Sequence, residues 1–182
     1  MSETAPDVPS NKDKIQLLLL DCDGVLTDGG VTWSEDGIEH KTFNIRDGLG
    51  IKLWQQAGFR VGIVTGRSSH VVQWRSNELG VDFVRQGIRD KVKAVSEIIA
   101  LCHLDWDSLA YIGDDLPDLS VIQRAGFGVA VADACQEVQK ASDFTTQLPG
   151  GKGAVRETIE VLLRSRGCWE NLVQNYQGNG IA

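Results

Sequence analysis

No two of the four cysteines, Cys22, Cys102, Cys135 and Cys168, stand in C-x-x-C spacing. The chain therefore shows neither a zinc-ribbon pattern nor a disulfide framework, and the reducing cytoplasm is its expected compartment. Long hydrophobic runs are also missing. The longest, Leu17 to Leu20 with Ile15 nearby, falls far short of the ~20 apolar residues that cross a bilayer. No surplus of positive charge exists: the formal net charge is −7, which argues against nucleic acid or an anionic membrane as partner. No secretory signal is visible, because residues 1–14 are mostly polar with Pro6 and Pro9; they read as a disordered leader. His40, His70 and His103 lack any mutual metal-ligand spacing, so surface or structural roles are expected of them. Internal repeats and low-complexity segments are absent.

What is present is a chain of 182 residues, 42% hydrophobic and 24% charged, which suits one soluble globular domain. Its organising stretch is Leu17-Leu18-Leu19-Leu20-Asp21-Cys22-Asp23-Gly24. A short apolar run that stops at a turn reads as a strand buried on both faces. Asp21 then sits at the carboxyl end of that strand, where open α/β sheets bind ligands. Asp23 follows one alternation later and Gly24 lets the chain turn, so both carboxylates can face one crevice. Carboxylates that close repel each other, and a divalent cation between them relieves it. Cys22 alternates away, toward the core. Taken alone, Asp21 and Asp23 are also compatible with simple turn residues.

Glu35-Asp36-Gly37, between Val31–Ser34 and Ile38–Phe43, predicts a β-hairpin covering about residues 30–43, inserted after the first strand. A helix is predicted from Asp47 to Gln56, with Gly58 closing it. Arg60 to Val64 is a second strand ending in Thr65-Gly66-Arg67. Ser68 or Ser69 caps the next helix, which runs to about Leu79. Further strands are predicted at Val81–Val84, Leu109–Ile112 and Phe127–Val131, with a short one at Phe144. Helices are predicted after Asp90, after Pro117 to about Arg124, from Ala134 to Ala141 and over residues 152–166. Trp54 and Trp74 belong to the core or to a subunit interface. Strand and helix alternate, so the expected fold is α/β: a doubly wound parallel sheet with helices on both faces and a small hairpin insertion. The domain spans about residues 15–176, with a flexible tail at 177–182.

Three predicted strands end in polar groups suited to a phosphate: Asp21/Asp23, Thr65 and Asp114/Asp115. Lys91 opens a helix nearby in sequence order. In kind, order and spacing, Asp21-Cys22-Asp23, Thr65, Lys91 and Gly113-Asp114-Asp115-Leu116-Pro117-Asp118 resemble the four motifs of the haloacid dehalogenase-like superfamily. The chemistry suits the residues. A carboxylate can attack phosphorus and divide one hard step into two, while cationic groups neutralise the charge spreading over the transferred phosphoryl group. The resemblance implies Asp21 as nucleophile, Asp23 as general acid and base, Thr65 and Lys91 on the phosphoryl group, and Mg²⁺ held by Asp21, Asp114 and the main-chain carbonyl of Asp23. Asp115 either ligates through water or braces its loop; Asp118 either joins the site or caps the following helix.

A closer resemblance covers nearly the whole chain after the leader. Asp21-x-Asp23-Gly-Val-Leu-Thr-Asp-Gly, Phe43-Asn44-Ile45-Arg46-Asp47-Gly48, Thr65-Gly66-Arg67 and Gly150-Gly151-Lys152-Gly153-Ala154-Val155-Arg156-Glu157 are similar to the cap-less phosphatases of 3-deoxy-D-manno-octulosonate 8-phosphate (KDO 8-phosphate). That similarity implies a phosphorylated sugar acid as substrate, bound by Asp23, Asn44, Arg46, Asp47, Gly48, Lys52, Arg67, Arg75 and Lys91. It also implies a homotetramer whose hairpin covers a neighbour's active site and whose tail can reach an adjacent one. Lys52 stands where an arginine is expected and loses the bidentate fork. Two other functions stay open: a phosphatase for the nine-carbon 2-keto-3-deoxynononate 9-phosphate, and an oligomerisation module related to sialic-acid-activating synthetases. Gly150–Gly153 lacks P-loop spacing and is expected to be a flexible helix start.

Overall fold

The computed structural model describes residues 12–177. Of the expected leader, residues 1–11 lie outside the described residues, and Lys12–Lys14 form a 3-10 turn; of the expected tail, residues 178–182 also lie outside them. The chain begins with β1 (Leu17–Leu20), every residue of which is buried. Next come β2 (Thr32–Trp33), β3 (Glu39–His40), α1 (Ile45–Gln56), β4 (Arg60–Val64), α2 (His70–Leu79), β5 (Phe83–Arg85) and α3 (Lys91–Leu101). The second half supplies β6 (Leu109–Gly113), α4 (Leu116–Ile122), β7 (Phe127–Ala130), α5 (Gln136–Ala141), β8 (Phe144–Thr145), α6 (Ala154–Ser165) and α7 (Trp169–Gln174).

Six strands form one parallel sheet in the order β5-β4-β1-β6-β7-β8. This is the predicted α/β architecture, and its physical cause is visible in the strand compositions. Leu17, Leu18, Leu19 and Leu20 are completely buried, which only a central strand covered on both faces permits. The helices fall into two packed groups, α2-α1-α6-α7 and α3-α4-α5, and their apolar stripes enclose the sheet. The chain moves outward from β1 to β4 and β5, then returns to the other side of β1 at β6. The β1/β6 boundary is thus the switch point at which parallel sheets open a crevice.

Two departures from the predicted elements have local causes. Helix α1 starts at Ile45 rather than Asp47, because the Asn44 side chain accepts the Arg46 N–H at 2.8 Å and serves as its cap. Strand β5 starts at Phe83 rather than Val81, because Gly80 caps α2 in the left-handed conformation at φ 64° and the Val81 N–H bonds back to Ser76. The hairpin is present at Thr32↔His40 and Trp33↔Glu39, but each arm is only two residues long. The flexible helix start expected at Gly150–Gly153 is a tight packing point instead. A Cβ on Gly150 would lie 1.8 Å from the Gly24 carbonyl oxygen and one on Gly151 2.6 Å from the Asp28 nitrogen, and the Gly151 N–H donates to Val25 at 2.9 Å. Only glycine permits that approach.

Candidate active site

Strands β4, β1 and β6 are neighbours, so Thr65, Asp21 and Asp114, each one residue past its strand, lie side by side along one sheet edge. Thr65 and Asp21 are buried. Gly24 has φ +88°, and a Cβ there would fall 2.1 Å from Asp114 Oδ2; the turn after β1 can close onto Asp114 only without a side chain. Lys91, the first residue of α3, is 4% exposed. Its Nζ lies 3.1 Å from Asp21 Oδ2 and 2.6 Å from Asp118 Oδ1.

Asp118 resolves the two roles left open for it by combining them. It is fully buried, and its Oδ1 also accepts the Tyr111 hydroxyl at 2.6 Å. Its Oδ2 accepts the N–H groups of Asp114 at 3.2 Å and Asp115 at 3.4 Å. Both oxygens are therefore occupied, and the side chain braces Lys91 and the Asp114 loop together. By contrast, Asp21 Oδ1 and Asp114 Oδ1 are buried without a hydrogen-bond partner. One carboxylate oxygen each from Asp21, Asp114 and Asp118 lies within 4.8 Å of the others. An all-oxygen set with two unpartnered buried carboxylate atoms fits a hard divalent cation such as Mg²⁺, with Asp21 and Asp114 free to hold it.

The charges respond to this crowding. Burial, then Asp118, pushes the Asp21 carboxyl up to about 6 against the pull of Lys91. Burial, then Asp118 and Asp21, pushes Asp114 up to about 7. Burial disfavours the Lys91 ammonium, but Asp118 and Asp21 outweigh it and hold its pKa above the ordinary value. Burial and Asp118 push the Tyr111 hydroxyl up, so it keeps its proton as a donor. Cys22 is fully buried and its thiol is also pushed up, by burial and then by Asp23, which leaves it an inert packing residue.

Asp23 faces a different set of partners. Lys41, from the end of the hairpin, donates to Asp23 Oδ1. Arg67 Nε lies 3.7 Å from Asp23 Oδ2, and Arg67 Nη2 donates to Glu39 Oε1 at 2.9 Å. Asp21, Asp23, Thr65, Arg67, Lys91 and Asp114 thus gather at the crevice. The other sequence-derived candidates make their contacts elsewhere. Asn44 caps α1 and donates to the Gly151 carbonyl at 3.4 Å. Asp47 is buried and accepts the Arg156 N–H at 2.8 Å, supplying from α1 a cap for α6. Lys52 Nζ donates to the Leu79 carbonyl at 2.6 Å at the end of α2. Arg75 pairs with Glu78 at 2.8 Å and fills the space beside Gly48, where a Cβ would meet its Nη2 at 2.3 Å. Arg46 is exposed and borders a groove of about 1030 Å³ with Lys152 and Arg156.

Lys41, Glu39 and Tyr111 escaped the sequence reading because no motif contains them. One signal was available: Glu39 and Lys41 are two apart in an extended segment and so share a face.

A model of the haloacid dehalogenase-like hydrolases matches residues 73–156. The KDO 8-phosphate phosphatase of Escherichia coli K12 is 40% identical over 161 residues, covering 88% of this chain and 86% of that protein. The chain belongs to the haloacid dehalogenase-like hydrolases. Within them it is a phosphatase, a phosphoric monoester hydrolase. Solved structures agree with the fold. The Moraxella catarrhalis KDO 8-phosphate phosphatase, solved with magnesium, phosphate and KDO, superposes with a TM-score of 0.90 at 37% identity, covering 91% of this chain and 95% of that one. The cobalt-bound Haemophilus influenzae enzyme gives 0.84 at 35% identity, over 87% and 92%. Among the described residues, no helix of this hydrolase is long and apolar enough to cross a membrane.

Proposed function

We propose that this hydrolase is a Mg²⁺-dependent phosphatase for the phosphate monoester of a 3-deoxy-2-ulosonic sugar acid, KDO 8-phosphate, acting in the cytoplasm through an aspartyl-phosphate on Asp21. One observation carries the reading. Asp21 has one oxygen held by Lys91 while the other is buried and unpartnered, beside the unpartnered oxygen of Asp114. Asp21, Asp114 and the main-chain carbonyl of Asp23 would hold the Mg²⁺, which supplies positive charge against the phosphoryl oxygens.

The chain's own residues do the remainder. Lys91 orients Asp21 and adds charge where the transition state needs it, and Thr65 offers a hydrogen bond to a phosphoryl oxygen. Asp21 attacks phosphorus as the bond to the sugar oxygen breaks, and Asp23 gives its proton to that oxygen. A water then attacks the aspartyl-phosphate, Asp23 takes its proton, and phosphate leaves with Asp21 restored. Arg67, with Arg46, Lys52 and Arg75 around α1 and α2, would attract the sugar's carboxylate to an otherwise acidic chain, beside Asn44, Asp47 and Gly48. The exposed Val31, Trp33 and Ile38 of the hairpin suit a homotetramer in which the hairpin covers a neighbouring site. The working domain spans residues 15–176.

Steady-state kinetics on KDO 8-phosphate and on 2-keto-3-deoxynononate 9-phosphate test the substrate, with a higher kcat/KM expected for the eight-carbon ester. The reverse preference overturns that choice. Asp21→Asn should lose turnover by a factor of about 10⁴ or more, as removal of a nucleophile does, while the oligomer measured by light scattering persists. Undiminished turnover would dismiss Asp21 as nucleophile.

A further inference from the structure

The second carboxylate of the Asp-x-Asp motif has a cation of its own, supplied by the hairpin. The Lys41 side chain is only 1% exposed, although lysine is almost never buried without a reason. Its Nζ donates to Asp23 Oδ1 and lies 3.6 Å from Glu39 Oε1. Glu39 is in turn gripped by Arg67 at 2.9 Å and by the hydroxyl of Ser69, the cap of α2, and its pKa is lowered chiefly by that hydroxyl. Desolvating an ammonium costs several kcal/mol unless the pairing is good, so this arrangement places Lys41 at one defined point against Asp23. The opposite oxygen, Asp23 Oδ2, is buried without a hydrogen-bond partner, with Arg67 Nε 3.7 Å away at ion-pair range.

We propose that Lys41 is a positioning residue for the acid–base step: it holds Asp23 by Oδ1 so that Oδ2 is the atom that exchanges protons with the substrate. This rests on the reading of Asp23 as general acid and base. In the first half-reaction the proton on Oδ2 passes to the ester oxygen, which takes the electron pair of the breaking P–O bond while Asp21 forms the new one. In the second, Oδ2 takes a proton from the water that forms the bond to phosphorus, and the Asp21–phosphorus bond breaks. Misaiming Asp23 by a fraction of an ångström is enough to lose much of the proton transfer. A lysine from the hairpin thereby makes the acid–base group dependent on a segment outside the sheet.

The test separates this role from a merely structural one by the leaving group. An alkoxide leaving from a sugar phosphate needs a proton, whereas 4-nitrophenolate leaves without one. We compare kcat/KM, which reports the first transfer, for KDO 8-phosphate and 4-nitrophenyl phosphate in the wild type, Lys41→Met and Asp23→Asn. The ratio of the two values is independent of the fraction of enzyme that folds. For Lys41→Met the loss should be about 10²-fold on the sugar ester, the lower end of general acid–base help, and under about threefold on the aryl ester. Equal losses on both esters, or none, overturn the proposal. Asp23→Asn is the control. If it shows the selective loss and Lys41→Met does not, Lys41 is the part in error; if Asp23→Asn shows none, the acid–base reading of Asp23 fails and the role of Lys41 with it.

Discussion

Each carboxylate of the Asp-x-Asp motif is held by a lysine, but the two lysines come from unlike parts of the molecule. Lys91 opens an eleven-residue helix, α3, capped by Asp90, whose side chain accepts the Lys93 N–H. It joins Asp21 to Asp118 of α4, which Tyr111 and two backbone N–H groups fasten to β6 and the loop that follows it. Lys41 leaves a hairpin whose arms are two residues each, with Thr32 and Trp33 exposed, and its cluster is closed by Arg67, a side chain 44% exposed. Asp21, the proposed nucleophile, is anchored at the end of the central strand of the sheet. Asp23, the proposed acid–base group, is tied to the short hairpin through Lys41 and to the exposed Arg67. Firm placement suits an atom proposed to bond to phosphorus, where small errors of position cost most.

Of the two lysines, the larger expected effect falls on the one in the sheet-anchored cluster. Lys91→Ala removes charge from the transferred phosphoryl group and should lower kcat/KM by about 10²–10³. The loss should be nearly the same for the sugar and aryl esters, the opposite of the pattern for Lys41. It also strands Asp118 in the interior, where an uncompensated buried charge costs about 3–5 kcal/mol, so the melting temperature should drop as well. A selective loss on the sugar ester alone would erase the distinction between the two lysines.

The next effect concerns pH and metal. Asp21 and Asp114 titrate near 6 and 7 in the fold, against 3.8 for an ordinary aspartate. Between those values the folded protein holds protons that the unfolded chain has released, so the stability these protons contribute is full below about pH 4 and declines as pH rises. Protein stripped with EDTA should therefore lose stability from pH 4.5 to 7.5 through this site, measured by urea denaturation. Added Mg²⁺, which binds the ionised pair, should offset the loss most at the upper end of this range. A metal-free protein whose stability climbs through this window, with Asp21→Asn climbing equally, would show that the pair is not crowded as described.

The smallest effect belongs to the brace behind Asp21 and Lys91. Tyr111→Phe removes one of the donors to Asp118 and should cost about 1.5–3 kcal/mol, the worth of a hydrogen bond to a charged group. The kcat/KM should fall by less than for Lys91→Ala, because Lys91 remains. A loss as large as that of Lys91→Ala would mean that Tyr111 governs where the lysine sits.

Much of this molecule could be read along the chain. Buried strands, left-handed caps and helix starts depend on residues two to four positions apart, so Leu17–Leu20, Gly80 and Asp90 announce their elements locally. Open parallel sheets bind ligands beyond the carboxyl ends of their strands, and Asp21, Thr65 and Asp114 stood out for that reason. The departures were local in scale, as at Asn44, whose capping role competed with its place in a substrate motif, or at Val81, taken up by the cap of α2.

Partnerships across the fold had no such signature. Asp47 meets the Arg156 N–H across 109 positions, Lys91 meets Asp118 across 27 and Lys41 meets Asp23 across 18. Gly150 owes its identity to a carbonyl at Gly24 that only the folded chain brings against it. Residue order was enough to name Asp21, Asp23, Thr65, Lys91 and Asp114 at the crevice, since each is tied to the end of an element that forms from its own pattern, but not Lys41, Glu39 or Tyr111. Which oxygen is gripped, which is left open and which cation does the gripping follow from close packing of segments remote in sequence, where a shift of an ångström exchanges one partner for another.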